Sequence, residues 1–139
     1  MMPRRLSAPR WTRLLTTVCL LPGLLFAVPL SPDDQVAVQT VASFYGVRAG
    51  KRMQGWRELV SKSKQAHWDE QKALTEVNRF FNQLTFLSDV VLWGRNDYWA
   101  APMEFLGAGG GDCEDYSIAK YFTLLELGVP DEKLRIVYV

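Results

Sequence analysis

Gly110-Gly111-Asp112-Cys113-Glu114-Asp115-Tyr116-Ser117-Ile118-Ala119-Lys120-Tyr121-Phe122-Thr123-Leu124 is the stretch from which the fold is read. Glycines lead into a helix start. Asp112 stands where an N-cap belongs and Asp115, three residues on, takes the acidic position of a capping box, which puts Cys113 in the first helical turn. The helix runs from about Cys113 to Leu127; Gly128 supplies a left-handed cap and Pro130 a stop just beyond it. A helix N terminus favours thiolate over thiol, and the preceding glycines let backbone N–H groups approach a bound carbonyl. Asp112, Glu114 and Asp115 act the other way, surrounding the sulfur with negative charge that raises a thiol pKa. Three acids in this position need a compensating cation.

The acids admit two readings. One is helix capping with dipole pairing. The other is a set of hard oxygen ligands, to which the Asn96-Asp97-Tyr98 turn can add a carbonyl or a carboxylate; that donor set suits Ca²⁺, although no spacing here matches an EF-hand loop. Cys113 is likewise either a small buried hydrophobe or a working thiol. Nucleophilic use needs a histidine to take the proton and a third polar group to orient it. The one histidine, His67, sits between Ala66 and Trp68 in the polar entry to a helix and reads as an exposed residue. A complete Cys-His-Asp triad is not assembled from this chain.

Outward from the glycines, Thr85 to Leu106 is rich in aromatics and turn formers, which predicts an ordered loop with a short strand or a helical turn rather than a long helix. Upstream, Leu74, Val77, Phe81 and Leu84 recur at steps of three and four and predict a helix over 69–84. Gly50 to Lys64 reads as a helix with Trp56, Leu59 and Val60 on its apolar side and a solvated basic face. Ser31-Pro32-Asp33-Asp34 opens a further helix through Val36, Val38, Val41 and Phe44 to Gly46, with a hydroxyl cap, proline in the first turn and acids where the dipole favours them. At the other end, Leu134-Arg135-Ile136-Val137-Tyr138-Val139 reads as a buried strand. With no closing turn after it, the expectation is a domain cut short.

The chain has 139 residues, 48% of them hydrophobic, enough for one folded domain and too few for two. Formal net charge is +1, which gives no electrostatic case for nucleic acid. That average hides a split. Arg4, Arg5, Arg10 and Arg13 precede an apolar run from Leu14 to Leu30 with Ala27 at a small-residue position, the three-part pattern of a cleavable export peptide over 1–27. Pro22-Gly23 argues against a spanning helix. The remaining domain, 28–139, carries 12 basic side chains against 15 acids, about −3. Cys19 belongs to the export segment, so the exported domain keeps Cys113 alone: a thiol in an oxidising compartment that is buried and inert, paired between chains, or chemically employed.

The segments Trp93–Leu106, Gly110–Leu124, and Leu127-Gly128-Val129-Pro130 with Lys133–Val139 closely resemble the bacterial transglutaminase-like cysteine proteinases of the LapG family, over about residues 32–139. The resemblance implies an α+β, papain-like or transglutaminase-like peptidase fold, here its N-terminal helical half with the start of the sheet. It implies a periplasmic, calcium-dependent endopeptidase that clips the N-terminal region of a large surface adhesin and so releases biofilm cells. It also implies an inner-membrane cyclic di-GMP receptor of LapD type that sequesters the protease. Carried over by position, Cys113 is the nucleophile and Asp112 and Glu114 are the calcium carboxylates, with Asp115, Asn96 and Tyr98 as further contributors. The family's histidine and aspartate follow the strand that ends at Val139, so the expectation is that this chain alone has little peptidase activity. The alternative is a remnant that binds calcium and the receptor without catalysis.

Overall fold

Residues 29–137 are described in the computed structural model; the expected export peptide lies outside them. Helix α1 (Pro32–Tyr45) starts as its sequence requires, with the Ser31 hydroxyl accepting from the Asp34 N–H at 3.1 Å and proline in the first turn. Gly46, at φ +88°, breaks the chain in one residue, so α2 (Val47–Ala66) begins at once. The two helices pack closely because Gly50 has no side chain: a Cβ there would lie 2.7 Å from that of Ala42. Helix α3 (Glu70–Phe81) is capped by Asp69, which accepts from the Lys72 N–H at 2.8 Å, and buries Ala73, Val77 and Phe81 on one face.

Beyond α3 the chain forms β1 (Thr85–Phe86), a short α4 (Asp89–Trp93), α5 (Pro102–Ala108), β2 (Gly110–Gly111) and α6 (Cys113–Glu126), then a 3₁₀ turn at Asp131–Lys133. β1 and β2 pair in parallel, Thr85 opposite Gly110 and Phe86 opposite Gly111. The result is an α+β domain, mostly helical with a small parallel sheet. Val41, Met53, Trp56, Val77, Phe81 and Phe105 are core side chains, and the Phe81 and Phe105 rings stack at 6.0 Å between centroids. Trp56 also carries a polar atom inward, and its Nε1 donates to Thr123 Oγ1 at 2.8 Å, so α2 and α6 share a satisfied buried hydrogen bond. Among the described residues no helix is long and apolar enough to cross a membrane.

Three elements differ from the sequence expectation. α2 begins three residues before Gly50, because Gly46 alone makes the turn from α1. α5 replaces part of the expected loop: Pro102 fits the first helical turn, Glu104 reaches back to accept from the Ala101 N–H at 2.8 Å, and Gly109, at φ +80°, closes the helix. The buried strand expected over 134–139 is not formed by Leu134–Val137. These residues pair with no strand among the described residues, and Val137 is 74% exposed. An apolar run becomes a strand only where an edge accepts its N–H and C=O groups, and the β1–β2 pair does not do so here.

One ion-pair cluster ties the first helix to the last. Arg57 Nε meets Asp34 Oδ1 at 2.5 Å, and its two terminal nitrogens meet Glu126 at 2.7 and 2.8 Å, a forked pairing that only arginine supplies. The Arg57 guanidinium holds the Glu126 carboxyl below its ordinary value of 4.5, against the effect of burial. A depressed carboxyl contributes stability that is complete above the unfolded-state pKa and is lost as pH falls through the folded one. Arg57→Ala is therefore expected to lower unfolding free energy by about 2 kcal/mol at pH 7. In urea titrations the gap between variant and parent should narrow as the buffer is taken below the ordinary glutamate range.

Candidate active site

β2 delivers the thiol. Gly110 lies so close to β1 that a Cβ would sit 2.2 Å from the Thr85 carbonyl oxygen, and one on Gly111 would sit 2.2 Å from Asp115 Oδ2. Both positions must be glycine for the strand to run here. The Leu87 N–H donates to the Gly111 carbonyl at 2.9 Å, after which Asp112 turns the chain into α6. Cys113 is the first residue of that helix and is exposed. The buried, inert thiol allowed by its residue type is thus not the one observed.

The same turn assembles three carboxylates. Asp89, Asp112 and Glu114 each offer an oxygen, all within 4.8 Å of one another. Asp112 and Glu114 flank Cys113 as the sequence placed them. Asp89 does not follow from the sequence reading, which treats its segment as loop. It opens α4, is 2% exposed, and accepts from the Tyr98 N–H. The signal available was an aspartate after Ser88 at a helix start, set inside the apolar run from Leu87 to Trp93.

The other candidates fall in different places. Asp115 is fully buried and is not a member of the trio: Oδ1 accepts from the Ala100 N–H at 2.8 Å and Oδ2 from the Asp112 N–H at 3.3 Å. Tyr98 contributes its backbone N–H to Asp89, while its hydroxyl donates to Glu104 at 2.9 Å. Asn96 is exposed on the loop before it. His67 is exposed, at φ +47°, and caps α2 rather than opening α3; it makes no hydrogen bond to Cys113.

Oxygens Oδ1 of Asp89 and Oδ1 of Asp112 are buried without a hydrogen-bond partner. Two such acceptors beside a third carboxylate are what a hard cation satisfies, and the all-oxygen donor set fits Ca²⁺. Burial pushes the Asp112 carboxyl above its ordinary value, and the charges of Asp89 and Asp115 add to this. Glu114 rises for the same first reason, burial, with Asp112 and Asp89 adding to it. A cation would reverse both shifts by pairing with the ionised forms.

An exposed cysteine at a helix N terminus, fed by a glycine strand and flanked by a carboxylate trio, marks a candidate thiol site beside a candidate metal site. The comparisons name the class: residues 51–139 match the family model of the bacterial transglutaminase-like cysteine proteinases, BTLCP, and the chain belongs to that family. It is similar to LapG of Legionella pneumophila in its calcium-bound form, at 39% identity and a TM-score of 0.58, over 70% of this chain and 53% of that one. The match to the same protein after EGTA treatment is 38% identical with a TM-score of 0.58, over 75% of this chain and 54% of that one. The chain thus spans about half the length of these relatives. No curated protein matches it.

Three outcomes are expected. Calcium at about a hundred times its Kd should stabilise the fold by about 2.7 kcal/mol, reversibly with a chelator, and Asp89→Asn should remove most of that gain. A raised carboxyl pKa in the folded state means that metal-free stability falls as pH rises through the carboxylate range. Calcium affinity, measured by calorimetry, should rise across the same window as protons cease to compete. Gly111→Ala should weaken calcium binding about tenfold or more, since its Cβ would displace Asp115, and should cost about 2 kcal/mol in a thermal melt.

Proposed function

We propose that this chain carries the nucleophile and the calcium site of a periplasmic cysteine endopeptidase that cuts the N-terminal region of a large surface adhesin and thereby releases biofilm cells. The observation that carries this reading is the exposed Cys113 thiol, first residue of α6, held between two members of the Asp89–Asp112–Glu114 trio. The similarity to a protease solved with calcium and after EGTA treatment supports the metal. The export-type N-terminal sequence supports the compartment. An inner-membrane cyclic di-GMP receptor of LapD type is the proposed regulator, on the family resemblance.

In this reading the Cys113 sulfur attacks the scissile carbonyl carbon as thiolate, its proton having passed to a base. The electron pair moves onto the carbonyl oxygen, then returns to expel the amine, which takes the proton, and water later releases the acyl group. The α6 N terminus favours the developing negative charge. Asp89, Asp112 and Glu114 would hold calcium, whose charge would neutralise the acids on either side of the thiol. His67 caps α2 and makes no hydrogen bond to Cys113, so it is not the proposed base.

That placement of His67 also favours a second reading, a non-catalytic module that keeps calcium and receptor binding. Incubation of the full-length protein with the N-terminal region of an adhesin and calcium separates the two. Cleavage abolished by Cys113→Ala and by chelation is the expected result. Cleavage that survives Cys113→Ala would overturn the nucleophile assignment, and calcium-dependent receptor binding with no cleavage at all would establish the second reading.

A further inference from the structure

Arg52 lies on α2, 61 residues before Cys113, and its guanidinium is not spent on a carboxylate. Nε donates to the Leu106 carbonyl at 2.6 Å and a terminal nitrogen donates to the Gly107 carbonyl at 2.7 Å. These are among the last carbonyls of α5, which its own helix leaves without partners and whose dipole favours a cation. The planar group also lies against Gly109: a Cβ there would be 2.9 Å from Arg52 Cζ. Gly109 turns at φ +80° directly into β2. Arg52 therefore grips the chain on the upstream side of the glycine strand, while β1 grips it from the other side.

The geometry of the trio depends on that strand. β2 runs on into Asp112 and Glu114, and β1, its only pairing partner among the described residues, runs on through Leu87 and Ser88 into Asp89. A shift of β2 along or away from β1 moves Asp112 and Glu114 against Asp89 and carries Cys113 with them. We propose that Arg52 is a positioning residue for this site: its two-pronged hold on the C terminus of α5 sets where the glycine strand lies, and so sets the spacing of the calcium carboxylates and the placement of the Cys113 thiol. The inference rests on the reading of the trio as a calcium site.

The test compares the parent protein with Arg52→Lys and Arg52→Met, and with Val60→Ala as a destabilised control whose side chain is buried on the same helix away from these contacts. Calcium titration by calorimetry and the rate of Cys113 alkylation by iodoacetamide are read well below each melting temperature. A lysine keeps the charge but reaches one carbonyl at a time. The expected result is calcium binding weakened about tenfold or more in Arg52→Met and less in Arg52→Lys, with altered alkylation rates in both, while Val60→Ala melts earlier with unchanged affinity and rate. If Arg52→Met does not fold, Arg52→Lys alone decides. Affinities within about twofold of the parent, or an equal loss in Val60→Ala, would overturn the proposal. A parent protein that binds no calcium would overturn the reading of the trio instead.

Discussion

The carboxylate of Asp115 is fully buried, and what it holds is backbone: the N–H of Ala100 on one oxygen and the N–H of Asp112 on the other. A buried ion without a counter-charge survives only when hydrogen bonds satisfy it, and pushing such a group into the interior otherwise costs several kcal/mol. The rest of the site is arranged around this requirement. Gly111 has no side chain because Asp115 occupies that space. After the Asn96–Asp97 turn, the N–H groups of Tyr98 and Ala100, two residues apart, reach two acids, Asp89 and Asp115.

The same arrangement explains why one acid of the Asp112-Cys113-Glu114-Asp115 run behaves differently from its neighbours. Helical geometry turns successive side chains by about 100°, so the four residues cannot face one way. Asp115 goes inward to fasten the turn, Asp112 and Glu114 converge on Asp89, and Cys113 stays at the surface. Buried unpaired oxygens on Asp89 and Asp112 then leave a demand for positive charge beside the thiol, and none of the described ion pairs meets it.

Away from the site, the helices are held by features that look unrelated to chemistry but fix its frame. Gly50 brings α1 onto α2, the Trp56–Thr123 hydrogen bond brings α2 onto α6, and Arg57 joins Asp34 to Glu126 across both contacts. α2 is the common member, and it also presents Arg52 to α5. One long amphipathic helix thus locates the element that carries Cys113 and the element that feeds it.

Local signals were sufficient for much of this. Ser31-Pro32, Asp69, the Asp112/Asp115 pair and Gly128 marked helix ends because capping and left-handed turns are decided within a few residues. The glycines before Cys113 and the acids beside it marked the candidate site for the same reason. Asp89 and the two-residue β1 were not legible, since a burial of 2% and a parallel pairing across 24 intervening positions are properties of how the chain returns on itself. The strand expected over 134–139 is not formed by its described part, Leu134–Val137, on the same ground: an apolar run supplies a willing segment, whereas a strand exists only where another backbone pairs with it. Sequence by itself determined the cysteine at a helix start, the helix that carries it and the acidic character of its surroundings, because these are local. Only the tertiary structure decided which acids meet, which one turns inward, and that the third member of the trio comes from α4, because a carboxylate cluster is set by distances between segments that no local spacing encodes.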